Sequence, residues 1–249
     1  MSPWDALAIA IAGLGAGAIN AVVGSGTLIT FPTLIALGYP PVLANVSNTV
    51  GLAPGSAAAV VAYRRELHGQ GSRLRRLCVA SALGAIGGAT LLLTLPPGAF
   101  KAIVPALIGL ALILVIVQPR LSAWVAARGD RPHHGGGTLL AGVLATGAYG
   151  GYFGAAQGVL LMALLGTLLD EDLQIQNAIK NVLALTANFV AACVFVGVEP
   201  IDWKIAGLIA GGSVLGGLAG AKIARRLPPA VLRGVIVTIG VVAIVRLVA

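Results

Sequence analysis

Residues Leu74–Val115 read LRRLCVASALGAIGGATLLLTLPPGAFKAIVPALIGLALILV, and Lys204–Val245 read KIAGLIAGGSVLGGLAGAKIARRLPPAVLRGVIVTIGVVAIV. Each stretch is a Gly/Ala-rich apolar run, then Leu-Pro-Pro, then a basic residue five positions after the first proline (Lys101, Arg233), then a second apolar run. Leu95-Pro96-Pro97 recurs as Leu227-Pro228-Pro229, and Asn48 has its counterpart in Asn181. The chain is built twice over. In a sequence this apolar, duplication is the signature of a transporter assembled from two structural repeats.

Composition fixes the solvent. Hydrophobic residues make up 58% of the 249 and charged residues only 10%, with a mean hydropathy of +0.98. A soluble domain carries about 25% charged residues, so this chain cannot clothe a water-facing surface. Several apolar runs reach the length that crosses a hydrocarbon core of about 30 Å. The expected fold is therefore an all-α integral membrane protein in a lipid bilayer. The formal charge of +8 sits at the ends of apolar segments. That is where the bias for positive cytoplasmic loops puts it. No basic stretch is interleaved with stacking aromatics, so nucleic acid is not an expected partner.

The apolar segments lie at 5–23, 27–37, 45–63, 77–95 and 100–118, then at 138–153, 158–169, 177–198, 203–222 and 231–248. This gives repeat one over 1–118, a basic cytoplasmic linker over 119–137 and repeat two over 138–249. The segments 27–37 and 158–169 are too short to span, at a rise of about 1.5 Å per residue. Each follows a glycine-rich break, Gly24-Ser25-Gly26 or Gly154-Ala155-Ala156-Gln157-Gly158. A broken or re-entrant helix pair thus opens each repeat. Ser2, Pro3 and Asp5 read as N-cap, N1 and N3 of the first helix.

Charge placement tests this arrangement. Arginines cluster in 64–76, in the linker and in 222–233. All three stretches fall on one side only if 138–169 enters and returns. A unit of five segments then leaves the second copy inverted relative to the first, with both termini outside. Trp4 and Trp203 flank apolar segments as interfacial anchors. Gly84 and Gly88, and Gly212, Gly216 and Gly220, form smooth ridges for close helix packing. Pro54 is expected to kink the helix over 45–63.

Polar residues inside a membrane face a cavity or a partner, and here they gather at the two breaks. Asn20, Ser25, Thr27 and Asn48 border the first; Gln157, Lys180 and Asn181 border the second. Helices restarting after a break carry unpaired amides and a partial positive charge. Gly24, Gly26, Gly154 and Gly158 let a ligand approach the backbone. Two such breaks meeting near the bilayer midplane would cradle an anion. Lys180 admits two readings, a contact to that anion or a side chain reaching back to the interface. All eight carboxylates lie at segment ends or in loops, so no proton relay is evident. No nucleotide-binding, catalytic or metal-ligand pattern is present, so neither an enzyme nor a cofactor is expected.

The run Gly17-Ala18-Ile19-Asn20-Ala21-Val22-Val23-Gly24-Ser25-Gly26-Thr27-Leu28-Ile29-Thr30-Phe31-Pro32 resembles the first signature of the TauE/SafE family of sulfite exporters. Ala44-Asn45-Val46-Ser47-Asn48-Thr49 resembles the element that follows it, and Gly150–Gly158 is similar to the second-half signature. Ser25 and Thr27 stand where that family often has Gly, and Gln157 where a small or hydroxyl residue is common. The resemblance implies outward movement of sulfite or an organosulfonate such as sulfoacetate across a bacterial inner membrane. Import of a related anion such as thiosulfate or a small carboxylate, and a membrane partner without transport, are the alternatives. The sequence leaves the oligomeric state open, a homodimer included.

Overall fold

A computed structural model describes residues 1–126 and 136–223, with isolated positions 234, 237, 238 and 241 beyond them. The described residues are helical throughout, without strands. In chain order the helices are α1 (Pro3–Val22), α2 (Thr27–Ala36), α3 (Pro41–Ala62), α4 (Gly71–Thr94), α5 (Pro97–Ala126), α6 (Gly136–Tyr152), α7 (Gln157–Leu168), α8 (Leu173–Val198) and α9 (Trp203–Ile223). The second Leu-Pro-Pro lies outside the described residues, as does most of the segment 231–248. Five helices are long and apolar enough to cross a membrane: α1, α4, most of α5, α8 and most of α9. The chain is a multi-pass membrane protein.

Local sequence explains the helix ends. Ser2 caps α1 in a full capping box with Asp5, behind Pro3 at N1. The α3 helix continues through Pro54 to Ala62. Two boundaries differ from the sequence reading. Helix α4 begins at Gly71, so Arg73, Arg75 and Arg76 lie in its first turns and not in a loop. Helix α5 runs on to Ala126, well into the stretch read as linker, because nothing after Pro119 breaks the helix before the masses of glycine further on.

Both short helices fold back along their predecessors. Gly26 sits against Ala16 and Asn20, Gly15 against Ile29, and Thr33 and Leu34 lie beside Ile9 and Ala12. In the second half Gly150 meets the Gln157 side chain and Gly142 meets Leu164. The α1–α2 and α6–α7 pairs are therefore hairpins that return toward the side they entered.

Packing crosses the halves. Helix α1 lies chiefly on α9, and α4 on α6, so the first helix of each half rests on the fourth of the other. Both seams are parallel and made by small residues. Gly13 and Gly17 face Ile209 and Ser213, while Gly84 and Gly88 face Leu144 and Ala148. These are the glycine ridges expected from four-residue spacing, and they let backbones touch where lipid supplies no hydrophobic drive. The corresponding helices α3 and α8 lie side by side in opposite senses. Asn188 of α8 bonds Ser56 near the end of α3, whereas Asp202, just past α8, bonds Ser47 near the start of α3.

Candidate functional site

The two breaks have the same backbone. Helices α1 and α6 both end in a six-to-one bond, Gly24 N–H to Ile19 O and Gly154 N–H to Tyr149 O, each at 3.0–3.1 Å. Gly24 and Gly154 have φ of +79° and +74°. This left-handed glycine stop is the ordinary way a helix ends sharply, and it reverses the chain within four residues.

The breaks also touch each other. Gly158 N–H donates to Gly24 O at 3.1 Å. A Cβ on Gly158 would lie 2.9 Å from the Val23 carbonyl oxygen and closer still to the Gly24 backbone. Only glycine fits. Phe153 of the second break packs edge-on against Phe31 of α2, ring centroids 5.1 Å apart, which fastens the hairpins together from the other side.

Around this junction the polar residues divide by task. Within the first hairpin, Asn20 Oδ1 accepts from Gly26 N–H at 2.8 Å. The Asn48 amide accepts from Thr30 Oγ1, and donates to Thr27 Oγ1 at 3.5 Å. Within the second, Gln157 Nε2 donates to Thr146 O at 3.1 Å. These groups brace the hairpins. Across the halves, Asn45 Nδ2 donates to Tyr152 O at the end of α6. Asn177 Nδ2 and Asn181 Nδ2 both donate to Ala21 O at the end of α1, at 3.3 Å each. Asn48 and Asn181, paired in the sequence reading, thus do not share a task, and at the 132-residue offset of the Leu-Pro-Pro elements Asn48 falls opposite Lys180.

Lys180 is the central charge. It is 0% exposed. Its Nζ lies 3.2, 3.5 and 3.4 Å from the carbonyl oxygens of Asn20, Ala21 and Val22. Three acceptors match the three hydrogens of an ammonium. No carboxylate pairs with it among the described residues, where Arg73 pairs with Glu171. No acidic residue occurs in the sequence after Asp202. Of the two readings of Lys180, the interfacial one is excluded by this burial.

Many amides of the expected cradle are engaged within the chain. All four amides from Gln157 to Leu160 bond carbonyls of the chain, and Gly26, Leu28, Ile29 and Thr30 are likewise engaged. The breaks are so short that first-turn amides find partners within them. Beside the breaks and the helices that pack on them, Ser25 Oγ, Asn45 Oδ1, Asn177 Oδ1 and the Tyr152 hydroxyl stay buried and unpartnered. Asn45 lies in the Ala44–Thr49 element, and Asn177 repeats it in the second half. Their signal was the 132-residue offset between them, the same as that of the two Leu-Pro-Pro elements. A separate cleft of about 690 Å³ opens at the start of α4, lined by Gln70, Ser72, Arg73, Arg76 and Glu171 among others, and contains none of the residues at the breaks.

A multi-pass helical protein with two re-entrant breaks meeting around a buried cation has the anatomy of a membrane transporter. The model of the family "Sulfite exporter TauE/SafE" matches residues 9–247. Among curated relatives, the chain is 27% identical over 243 residues to a probable membrane transporter protein, ORF9, of Sinorhizobium sp, covering 96% of this chain and 90% of that one. It is 28% identical to a probable membrane transporter protein of Haemophilus influenzae, with 94% and 91% covered. It is 25% identical to the probable membrane transporter protein YfcA of Escherichia coli K12, with 93% and 85% covered. No solved structure is significantly similar. The chain belongs to the TauE/SafE family and is a membrane transporter of that family.

Proposed function

We propose that this transporter moves a small sulfur-containing anion, sulfite or an organosulfonate, outward across a bacterial inner membrane by alternating access. The observation that carries the reading is Lys180, whose fully buried Nζ meets three carbonyls of α1 across the two halves. A buried charge without a counter-charge is costly. An anion entering beside Lys180 stabilises its ammonium form, and so the site prefers a negative solute. Ser25, three residues beyond the carbonyls that hold Lys180, offers an unpartnered hydroxyl for it.

The moving units are not the sequence halves. Glycine seams interlock α1 and α3 with α9, and α4 with α6. This groups α1, α2, α3 and α9 against α4, α6, α7 and α8. Between these groups run the bonds of Lys180, Asn177 and Asn181 to α1, of Asn45 to Tyr152, of Gly158 to Gly24, and of Asn188 to Ser56. Rocking one group against the other breaks polar contacts at the site and leaves the seams intact. The opposite senses of α3 and α8 support inverted copies. Export needs no coupling cation, because an inside-negative potential drives each negative charge outward by about 2.3 kcal/mol per 100 mV.

Counterflow in proteoliposomes tests the reading. Labelled sulfite should accumulate against unlabelled sulfite, and efflux from loaded vesicles should accelerate with an inside-negative potential. Absence of counterflow for sulfite, thiosulfate, sulfoacetate and simple carboxylates alike would remove the transport assignment.

A further inference from the structure

We infer that Tyr63 and Phe195 are the two gates of this transporter, one aromatic ring closing each end of the α3–α8 interface. The inference rests on the proposed alternating access and names the residues that carry it.

The internal repeat locates them. Asn188 Nδ2 donates to Ser56 Oγ at 3.3 Å. These two residues stand 132 positions apart, the offset that pairs Asn45 with Asn177 and one Leu-Pro-Pro with the other. A residue that touches its own counterpart lies on the axis relating two copies. The axis of an inverted pair therefore passes between α3 and α8 at this bond. It exchanges the two ends of the α3–α8 interface, so a contact made at one end has an equivalent at the other.

At one end Tyr63, the C-cap of α3 and only 2% exposed, packs on Ala178 in the first turns of α8, with Ala62 and Leu67 against them. The offset turns this pair into Phe195 and Val46. Both are fully buried and belong to one core cluster. The end of α8 does meet the start of α3, since the Asp202 amide donates to Ser47 Oγ at 3.1 Å. Each ring also stands at the edge of the buried layer: Arg64 and Arg65 follow Tyr63 and are exposed, as are Val196 and Val198 after Phe195. Each lies against the residue next to a junction asparagine. Ala178 follows Asn177, which bonds Ala21 O at the end of α1, and Val46 follows Asn45, which bonds Tyr152 O at the end of α6.

Helices α3 and α8 belong to different rocking groups. A rock that parts them at one end unseats one ring and leaves the other in place. With both rings seated, Ser25 and Lys180 at the junction are 0% exposed. One ring per end, acting in turn, is what access from alternate faces requires.

The test uses the whole chain with Cys78 and Cys193 replaced by Ser, and with Ser25→Cys as a buried reporter. A membrane-impermeant maleimide is applied to one face at a time, in intact cells and in inverted vesicles. With both rings present the thiol should react slowly from either face. Tyr63→Ala should speed labelling about tenfold or more from one face and Phe195→Ala from the opposite face, because truncating a buried aromatic removes the contacts that hold its end shut. A second measurement restores Ser25 and uses paired cysteines. Tyr63→Cys with Ala178→Cys, and separately Phe195→Cys with Val46→Cys, should stop sulfite counterflow on oxidation and release it on reduction. Labelling that rises from both faces in one variant, from the same face in both variants, or from neither face would overturn the inference. Full counterflow in either oxidised pair would overturn it as well. The labelling needs no transport, so the expected pattern beside a parent that exchanges no solute would uphold the two closures and strike the transport reading instead.

Discussion

Replacing Lys180 by Met removes the charge and keeps most of the volume. Two consequences separate. For transport, an anion about 4 Å from the ammonium, at an effective dielectric of about 20, gains about 4 kcal/mol. Loss of that term lowers flux by about three powers of ten. For folding, the carbonyls of Asn20 and Val22 lose the donor shown for them, while Ala21 O keeps Asn177 and Asn181. Each buried acceptor left without a donor costs about 1–3 kcal/mol. Against this stands relief of a buried, unpaired charge, worth several kcal/mol by itself. The two offset, so the variant should fold. The assay pairs labelled-sulfite counterflow with thermal unfolding in detergent. The expected outcome is unfolding within a few degrees of the parent and flux at background. Lys180→Arg, which keeps the charge on a planar group unsuited to three converging carbonyls, should retain a measurable fraction. A Lys180→Met protein that transports within threefold of the parent would refute the argument that this ammonium holds the solute.

Other consequences follow from the packing. Gly158→Ala puts a Cβ into the Val23–Gly24 backbone and should abolish flux, with destabilisation of about 1–3 kcal/mol; Gly87→Ala, whose Cβ meets nothing within 4 Å, should be silent in the same thermal and counterflow assays. Ser56→Cys with Asn188→Cys, in a chain whose free Cys78 and Cys193 are first replaced by Ser, should freeze transport on oxidation and recover on reduction, because that pair bridges the two helix groups. Gln70→Cys with Glu171→Cys lies within one group, at 3.1 Å between side chains, and its cross-link should leave flux unchanged. The Arg73–Glu171 ion pair, about a fifth exposed on each side, should show a coupling below about 1 kcal/mol in a double-mutant cycle, shrinking with salt.

Much of the architecture was legible because the bilayer makes local pattern decisive. A backbone in hydrocarbon must satisfy its own hydrogen bonds, so apolar length reads almost directly as helix. The short segments 27–37 and 158–169 became α2 and α7 nearly residue for residue. The glycine ridges became the α1–α9 and α4–α6 seams, since four-residue spacing puts small residues on one face. Pairing partners were not legible. Nothing in Gly84 says that it meets α6, and so the exchange of fourth helices between halves had no local sign. The start of α4 was misplaced for a related reason: five arginines between 64 and 76 read as loop, yet Arg73 is held by Glu171 from the α7–α8 turn, a contact nearly a hundred residues away.

The site was legible in position but not in electrostatics. Reading two helix N-termini at the breaks suggests a ring of free positive amides. A break in a membrane helix, however, has two ends. The α1 terminus brings carbonyls as surely as the α2 terminus brings amides, and over four residues many of the amides find partners close by. The positive field at the junction then falls to one side chain. At the 132-residue offset that pairs Asn45 with Asn177, Lys180 is matched in the first half by Asn48, which bonds Thr30 and Thr27. Duplication therefore supplied a symmetric frame of two hairpins with Asn45 and Asn177 at the helix ends. A single departure from that symmetry supplied the charge. Reversing it tests the division of labour: Lys180→Asn combined with Asn48→Lys should keep the helical frame, yet move the amine to the first hairpin, beside Thr27 and Thr30. If charge at the junction is what binds the anion, flux in the double variant should exceed that of Lys180→Asn alone. Equal flux in the two would mean that the frame around α1, and not the charge, holds the solute.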